Sequence, residues 1–552
     1  MKPYLNRVSG KPSKADVTLF SGGLNTCYDK SFIRDNQLPF MINVTLKKSP
    51  TLKTRDSRTS LAWFLEDTTS FAQYPVIKMF SSTTKTLYVI EDRATEENPN
   101  ADNHVYKYTI NSSKVLTKVY VGSIARSTKY FMCECRDAKY QYIIISTWNK
   151  RYQFKVDEVF DSATGITACE DTNAGIVACH KNRLWIAKGT SLKFSQLREY
   201  NDFTIDENDT VNTAGEINVT NAKGDITAII PYDGKLMIFC EGSRHVIYGS
   251  SPNADIDQFS LVDFDDGIGC VSDETITICN RQLFWLDSDF SVYRYNGSYT
   301  NKISEPYGND DYASYGGIKD IGHQQIKIEK FIMCSYSDYI YISMQRSMLS
   351  SAVNDTLLVY DTKNRVWWAE DGDISHMIRW DTDANTPFYN RSDYLAGTKY
   401  NGDILILNAN ESGEDLLFNK TTRHFDQVPI KYAFETRTWL LGGVKNKKTL
   451  TNVWFQANAN AKVGVCDYWS EHNPWDTASI TLDKDYLVLG TMKSTGMRHD
   501  ILKPYANNHE GGERQRFIVP RMYMQKINAF SIRVDGEGAG EFFMMEKEWR
   551  IK

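Results

Sequence analysis

An acidic run, Asp263-Phe264-Asp265-Asp266-Gly267, is followed by Glu274. A calcium-binding EF-hand loop needs oxygen ligands at alternate positions, glycine at position 6 and a bidentate glutamate at position 12. Counted from Asp263, Glu274 fills position 12, but Ile268 stands at position 6 and Gly267 removes the ligand at position 5. An EF-hand is excluded. Cys133-Glu134-Cys135 places two thiols on one face of a strand, with no second pair to complete a zinc site. The other cysteines, Cys27, Cys169, Cys179, Cys240, Cys270, Cys279, Cys334 and Cys466, mostly follow apolar strand residues, as in Met237-Ile238-Phe239-Cys240. They read as reduced, buried, small hydrophobes.

The nine histidines stand singly, with His180 and His245 beside strand turns. There is no His-Glu-x-x-His, no phosphate-cradling Gly-Lys-Ser/Thr loop and no Gly-x-Ser-x-Gly elbow. Glycoside hydrolysis needs two carboxylates flanking one bond; 69 Asp and Glu residues supply many pairs and single out none. The stretch Asp361-Thr362-Lys363-Asn364 before Val366-Trp367-Trp368 occurs once and reads as a hairpin with aromatic packing. The expectation is therefore a protein without catalytic residues, metal or cofactor. One cluster remains: Lys47, Lys48, Lys53, Arg55 and Arg58 are opposed only by Asp56. A basic segment of this kind suits docking on a neighbour, or else a solvated arm, and these five are the interface candidates.

The elements that would carry these residues follow a repeating phrase. A short polar turn precedes an alternating apolar strand in Lys181-Asn182-Arg183-Leu184-Trp185-Ile186, Asp233-Gly234-Lys235-Leu236-Met237-Ile238-Phe239, Asn280-Arg281-Gln282-Leu283-Phe284-Trp285-Leu286 and Ser337-Asp338-Tyr339-Ile340-Tyr341-Ile342. Weaker copies centre on Leu87, Tyr142 and Leu395. The anchors lie about 42–57 residues apart, and a second strand follows about 10–11 or about 19 residues later. Period-two alternation with Val, Ile, Tyr, Phe and Trp builds a sheet with a face that one hairpin cannot bury alone. The reading is an all-β chain with a β-propeller of six to eight blades over residues 61–420. An N-terminal extended arm, 1–60, precedes it, and a C-terminal β-sandwich, 421–552, follows. Within the sandwich, residues 485–515 hold a long polar loop with Gly511-Gly512, and a short helix is expected over Thr59–Thr69.

The 552 residues are 41% hydrophobic and 13% aromatic, ample for such cores, and the net charge of −5 argues against a nucleic-acid coat. No apolar run approaches the length of a membrane span, and the opening Met1-Lys2-Pro3-Tyr4-Leu5-Asn6-Arg7 has no apolar leader core.

Several stretches share an order with one group of proteins. Gly22-Gly23-Leu24-Asn25-Thr26 leads to Ile33-Arg34-Asp35-Asn36-Gln37, then Asn43-Val44 and the basic segment. Arg183-Leu184-Trp185 through Phe194-Ser195 leads to Glu199-Tyr200-Asn201-Asp202-Phe203, and Ile226-Thr227-Ala228-Ile229-Ile230 to Asp233-Gly234-Lys235-Leu236. Gly267-Ile268-Gly269-Cys270-Val271-Ser272 leads to Leu283-Phe284-Trp285-Leu286 and Val292-Tyr293-Arg294-Tyr295-Asn296-Gly297. This order resembles the tail nozzle or tail-tube (head-to-tail stabilisation) virion proteins of short-tailed bacteriophages, over most of residues 20–300. Arg34 departs from a common proline, and Arg55-Asp56-Ser57 lacks the usual Pro-Gly turn.

The resemblance implies a structural, non-enzymatic virion protein, assembled in the host cytoplasm into the phage tail as a homo-oligomeric ring, often a hexamer. Portal or adaptor and other tail proteins would be its neighbours, and phage DNA would pass through the lumen without specific binding. A mildly acidic lumen fits that passage, since phosphate contacts would retard it. The competing reading is a glycan-binding or glycan-degrading propeller of a phage tail. Against exposed binding tips, Trp185, Trp285 and Trp454 fall within strands.

Overall fold

The computed structural model describes residues 14–65, 74–110, 115–156, 165–169, 173–264, 267–304, 318, 328–345, 354–382, 391–440, 448–467, 487–492, 513–518, 525–527 and 529–551. Most of the polar loop 485–515, the acidic pair Asp265-Asp266 and the second half of the expected Thr59–Thr69 helix lie outside these residues. The first half of that helix is the closing strand Ser57–Ser60 and one 3-10 turn, Leu61–Phe64.

The chain forms a seven-bladed β-propeller. Blades 1 to 6 are successive four-stranded antiparallel meanders, opening with the strands Val76–Ser81, Phe131–Arg136, Ile176–His180, Ile226–Tyr232, Ile276–Cys279 and Ile332–Tyr336. Blade 7 opens with Ile374–Asp381. These opening strands pack against one another around the axis, and blade 7 packs back on blade 1. All seven sequence anchors, from Leu87 to Leu395, lie on the second strand of a blade. The following apolar stretch is the third strand in each case.

The polar turns repeat because of backbone geometry. Lys181-Asn182, Asp233-Gly234 and Asn280-Arg281 each join two strands with both residues at positive φ. That is the two-residue hairpin whose twist matches the strands it connects, and Asn, Asp and Gly tolerate it best. After the turn, alternate residues enter the spaces between blades. Trp185 packs between Phe194 and Phe259, and Trp285 between Phe239 and Tyr293. Val366-Trp367-Trp368 is the hairpin expected, with both indoles fully buried. The Asp361 carboxylate holds its turn by accepting from the backbone N–H groups of Lys363 and Asn364 at 2.8 and 2.9 Å.

Blade 7 is not a simple meander. Its third strand, Ile404–Asn410, pairs with Ser57–Ser60 from the beginning of the chain. That strand also touches the hairpin Glu414–Asn419 and His424–Pro429, which makes blade 7 six-stranded. The 420/421 division falls in the turn of this hairpin. Circular closure thus rests on a strand more than three hundred residues from its partner.

The remaining strands form one ten-stranded sheet from both chain ends. Its spine is the antiparallel pair Lys448–Asp467 and Phe530–Ile551, of 20 and 22 residues. At about 3.3 Å per residue these reach roughly 65–70 Å, several times an ordinary strand. The segment read as an arm supplies four strands to this sheet: Lys14–Thr18 and Thr51–Thr54 pair with Phe530–Ile551, Val44–Lys48 with Thr51–Thr54, and Phe40–Ile42 with Lys431–Glu435. Its apolar residues Leu24, Met41, Val44, Leu46 and Leu52 share one core with blade 6, through Trp367, and with the long sheet, through Phe434, Val453 and Phe542. Among the described residues no helix is long and apolar enough to cross a membrane.

Candidate functional site

The five basic interface candidates converge on the seam between propeller and long sheet. Arg55 is 2% exposed. Its Nη1 and Nη2 donate to the two Asp415 carboxylate oxygens at 2.9 and 2.7 Å, a planar fork on a planar acceptor. Its Nε lies 3.1 Å from Asp371 Oδ1 and from Asn43 Oδ1. Arg58 meets Glu370 at 3.5 Å and Asp371 at 3.3 Å. Lys47 donates to Asp56 at 2.8 Å and lies over the Tyr339 ring. Lys53 bridges Glu411 and Glu541, and Lys48 reaches Glu411 at 3.4 Å. The segment thus meets carboxylates of blade 6, of the blade 7 extension and of the long sheet.

Burial alone would lower the Arg55 and Lys47 pKa values. For Arg55 the Asp371 and Asp415 carboxylates outweigh it; for Lys47, Tyr341, Asp56 and Glu370 do. Both are held above their ordinary values, so they stay charged. Burial pushes the Asp371 carboxyl up, but Arg55 and Arg58 overcome it and hold it below the usual carboxylate range.

Sequence reasoning missed the hub of this seam, Asn43. It sits at φ 56°, a conformation asparagine tolerates. Its backbone N–H donates to Ala369 O at 2.9 Å, its Nδ2 to Lys431 O at 2.6 Å, and its Oδ1 accepts from the Asp371 N–H at 2.8 Å. One side chain therefore joins the N-terminal segment, blade 6 and the long sheet. The sequence signal was a lone Asn before a β-branched strand.

The second polar centre lies on the propeller axis. Lys78 of blade 1 donates to Asp273 at 3.1 Å and to Glu274 at 2.6 Å, both on the short turn that enters blade 5. His376 of blade 7 lies 3.8 Å from the other Glu274 oxygen. Burial raises the Asp273 carboxyl above its ordinary range despite Lys78. Burial also acts to raise Glu274, but Lys78 and His376 outweigh it and hold this carboxyl low. Beside the cluster is a cavity of about 440 Å³ lined by residues at the starts of blades 1, 2, 5, 6 and 7. Glu274, the twelfth residue of the rejected calcium loop, thus faces the axis, while Asp263 lies on the outer strand Ser260–Phe264 of blade 4.

A third arrangement has the connectivity of a hydrolase triad. Ser243 Oγ lies 3.0 Å from His245 Nε2, and His245 Nδ1 lies 2.7 Å from Asp263 Oδ1. The hydrogen bonds from Asn221 and His245 hold the Asp263 carboxyl below its usual range. Nucleophilic catalysis also needs access and an oxyanion site. Ser243 is 3% exposed, and its Oγ already accepts from the Lys223 N–H at 2.9 Å. The relay ties the outer strand of blade 4 to its third strand and to the turn before it, a structural role. His180 is likewise structural: burial, then Lys181, depress its pKa to about 4.

Nine described cysteines are free, and Cys133, Cys135, Cys240, Cys270, Cys279 and Cys334 are buried. Burial pushes Cys240 and Cys279 up to about 11 and Cys270 and Cys334 to about 12, unreactive at neutral pH. Among the described residues no group of three or more His, Cys, Asp or Glu is placed to hold a metal ion.

No protein-family model matches the chain, and no curated protein matches it. Among solved structures it is similar to Raptor of Chaetomium thermophilum, with a TM-score of 0.40 and 8% identity over 64% of this chain and 29% of that one. It is also similar to the AfRom2 CNH domain, with a TM-score of 0.33 and 9% identity over 60% of this chain and 93% of that one. The chain thus matches less than a third of the Raptor chain's length. Likeness at this level carries no functional weight, and the seven blades stand on the strand pairing itself.

Proposed function

We propose that this chain is a structural protein of a short-tailed phage virion, one subunit of a nozzle or tail-tube ring around the DNA exit channel. The observation that carries the reading is the union of a closed propeller with a roughly 65–70 Å sheet through one apolar core and one buried ion network. Such a body resists shear between its parts, as a load-carrying subunit must. Wedge-shaped copies of it meet through unlike faces, and a rotation that closes gives a ring. In this reading the DNA path lies between protomers. The propeller's own axis is crossed by Lys78, Asp273, Glu274 and His376, and its cavity has the size of a small-molecule site, not of a duplex. The expected homo-oligomer is a hexamer that touches portal or adaptor proteins on one side and other tail parts on the other. It has no catalytic role. Electron microscopy of the purified protein tests this: rings with an open central pore support it. A persistent monomer that releases saccharide from host-cell glycans overturns it in favour of a glycan-degrading propeller.

A further inference from the structure

One pair of thiols stands at equivalent places in neighbouring blades. The opening strands Phe131–Arg136 of blade 2 and Ile176–His180 of blade 3 pack against each other around the axis. Cys135 is paired with Tyr142 and Cys179 with Leu184, the anchors of their blades' second strands. The rotational repeat of the propeller therefore sets both cysteines at one height on adjacent strands. The same place in the other blades holds Ser81, Pro231, Ile278, Ser335 and Arg379, so only blades 2 and 3 bring two thiols together at this level. Cys135 is 1% exposed in the core between these blades, beside Cys133, and Cys179 is half-buried against the same core.

The two sulfurs differ in state. The Cys135 S–H donates to the Cys179 sulfur, and the Arg136 N–H donates a second bond to it. The bond from Cys135 outweighs burial and, with the Arg136 bond, holds Cys179 below the ordinary thiol range. Cys135 is pushed well above that range, first by burial and then by its bonds to Cys133 and Cys179. The thiolate is the nucleophilic form of cysteine, so the thiol nearer solvent is the one favoured to attack, and its partner keeps a proton in the core. Other buried thiols are arranged differently. Cys270 donates to Ser272 O at 3.3 Å, Cys279 to Ser337 O at 3.4 Å and Cys334 to Ser335 O at 3.5 Å, and burial keeps all three protonated.

We propose that Cys179 and Cys135 form a peroxide-reactive thiol pair that closes to a disulfide between blades 2 and 3. The substrate class is a small hydroperoxide, of which hydrogen peroxide is the simplest. The Cys179 thiolate attacks one peroxide oxygen and the O–O bond breaks. Hydroxide leaves, takes up the proton that Cys179 released on ionising, and Cys179 becomes a sulfenic acid. The Cys135 sulfur then attacks the Cys179 sulfur. The S–O bond breaks as the S–S bond forms, and the departing hydroxide takes the Cys135 proton as water. Two thiols thus lose two electrons and two protons while one hydrogen peroxide becomes two waters. The reaction runs once per chain until a thiol reductant reopens the bond. It concerns two blades of one chain and is independent of the virion reading, which concerns contacts between copies.

The test treats the full reduced chain with hydrogen peroxide, digests it without reductant and reads the peptides by mass spectrometry. Trypsin leaves Cys135 in peptide 130–136 and Cys179 in peptide 156–181. The expected product is these two peptides joined, with fragment masses that place the bond on Cys135 and Cys179, and dithiothreitol should part them. Cys179→Ser is expected to cut the cross-link more than about tenfold, whereas Cys169→Ser, in the same peptide, leaves it unchanged. Circular dichroism matching the wild type checks that both variants fold. Peroxide that takes Cys179 to sulfinic acid without a cross-link would overturn the proposal. So would a bond made through Cys133 or Cys169, or a folded wild-type chain whose Cys179 stays unoxidised.

Discussion

Replacing Arg55 by methionine isolates the ion network of the seam. The substitution keeps the length of the apolar stem and removes the guanidinium, which makes a two-bond fork to Asp415 and lies within hydrogen-bond distance of Asp371 and Asn43. Taking one partner from a buried ion pair costs about 3–5 kcal/mol, because the carboxylate left behind has lost its water as well. Asp371 is 38% exposed, so water repays part of its share, whereas Asp415 is nearly buried. The lower part of the range, about 3 kcal/mol, is therefore expected. A chain of this size does not unfold in one step, so a global midpoint is a poor measure. The local measure is amide hydrogen exchange at Arg58, whose N–H donates to Asp415 Oδ1 at 2.8 Å, and at Thr59 in the closing strand. A loss of about 3 kcal/mol speeds their exchange roughly a hundredfold, since each 1.4 kcal/mol is a factor of ten. The double substitution Arg55→Met with Asp415→Leu removes both charges and should recover most of the loss, less the penalty of the orphaned Arg58 amide. An effect below about 1 kcal/mol for Arg55→Met would place the pair among ordinary surface bridges and refute the seam as a locked joint.

Asp403 sets a pH dependence at the same closure. Burial raises its pKa to about 6 even though Ser60 Oγ donates to it at 2.5 Å, whereas the unfolded chain ionises near 3.8. Between those values the unfolded state binds fewer protons than the folded one, so this group's contribution to stability falls as pH rises from about 4 to about 6 and is flat above. Its size is about 3 kcal/mol, and Asp403→Asn should flatten the slope seen in denaturant titrations at a series of pH values. Ser243→Ala orphans the Lys223 amide and the His245 Nε2 and should cost about 1–3 kcal/mol, while a fluorophosphonate probe should leave Ser243 of the native protein unlabelled; labelling would restore the hydrolase reading. Gly402 sits at φ 90° with its would-be Cβ driven into the Tyr74 carbonyl, so Gly402→Ala should cost more than about 1 kcal/mol and loosen the junction of blades 7 and 1, measured as faster limited proteolysis there.

The repeat was legible because its cause is local. Alternation and two-residue turns are set by neighbours in sequence, so Leu184, Leu236, Leu283 and Ile340 marked second strands before any tertiary contact was known. Even the faint copies at Leu87, Tyr142 and Leu395 fell in register, which leaves seven blades from a reading of six to eight. The seam was not legible, because its partners lie far apart: Arg55 and Asp415 are separated by 360 positions and Asn43 and Lys431 by 388. A polar segment before a repeat looks like an arm when its carboxylate partners cannot be seen. His245 looked solitary although Asp263, 18 positions on, sits directly opposite it on the next strand. Glu274 was weighed as part of a loop with Asp263, whereas the end of the outer strand separates them and sends Glu274 to the axis.

The closing strand also sets a timetable. Ser60 must pair beside Ile404–Asn410, and a ribosome emits the 344 residues from 60 to 404 at roughly 5–20 per second. For about 20–70 s the N-terminal strands are outside the ribosome with neither the seventh blade nor the long sheet yet made. During that interval the polar character of residues 47–58 keeps a segment destined for burial soluble and slow to find wrong partners. The same charges that lock the finished joint therefore act earlier as its chaperone.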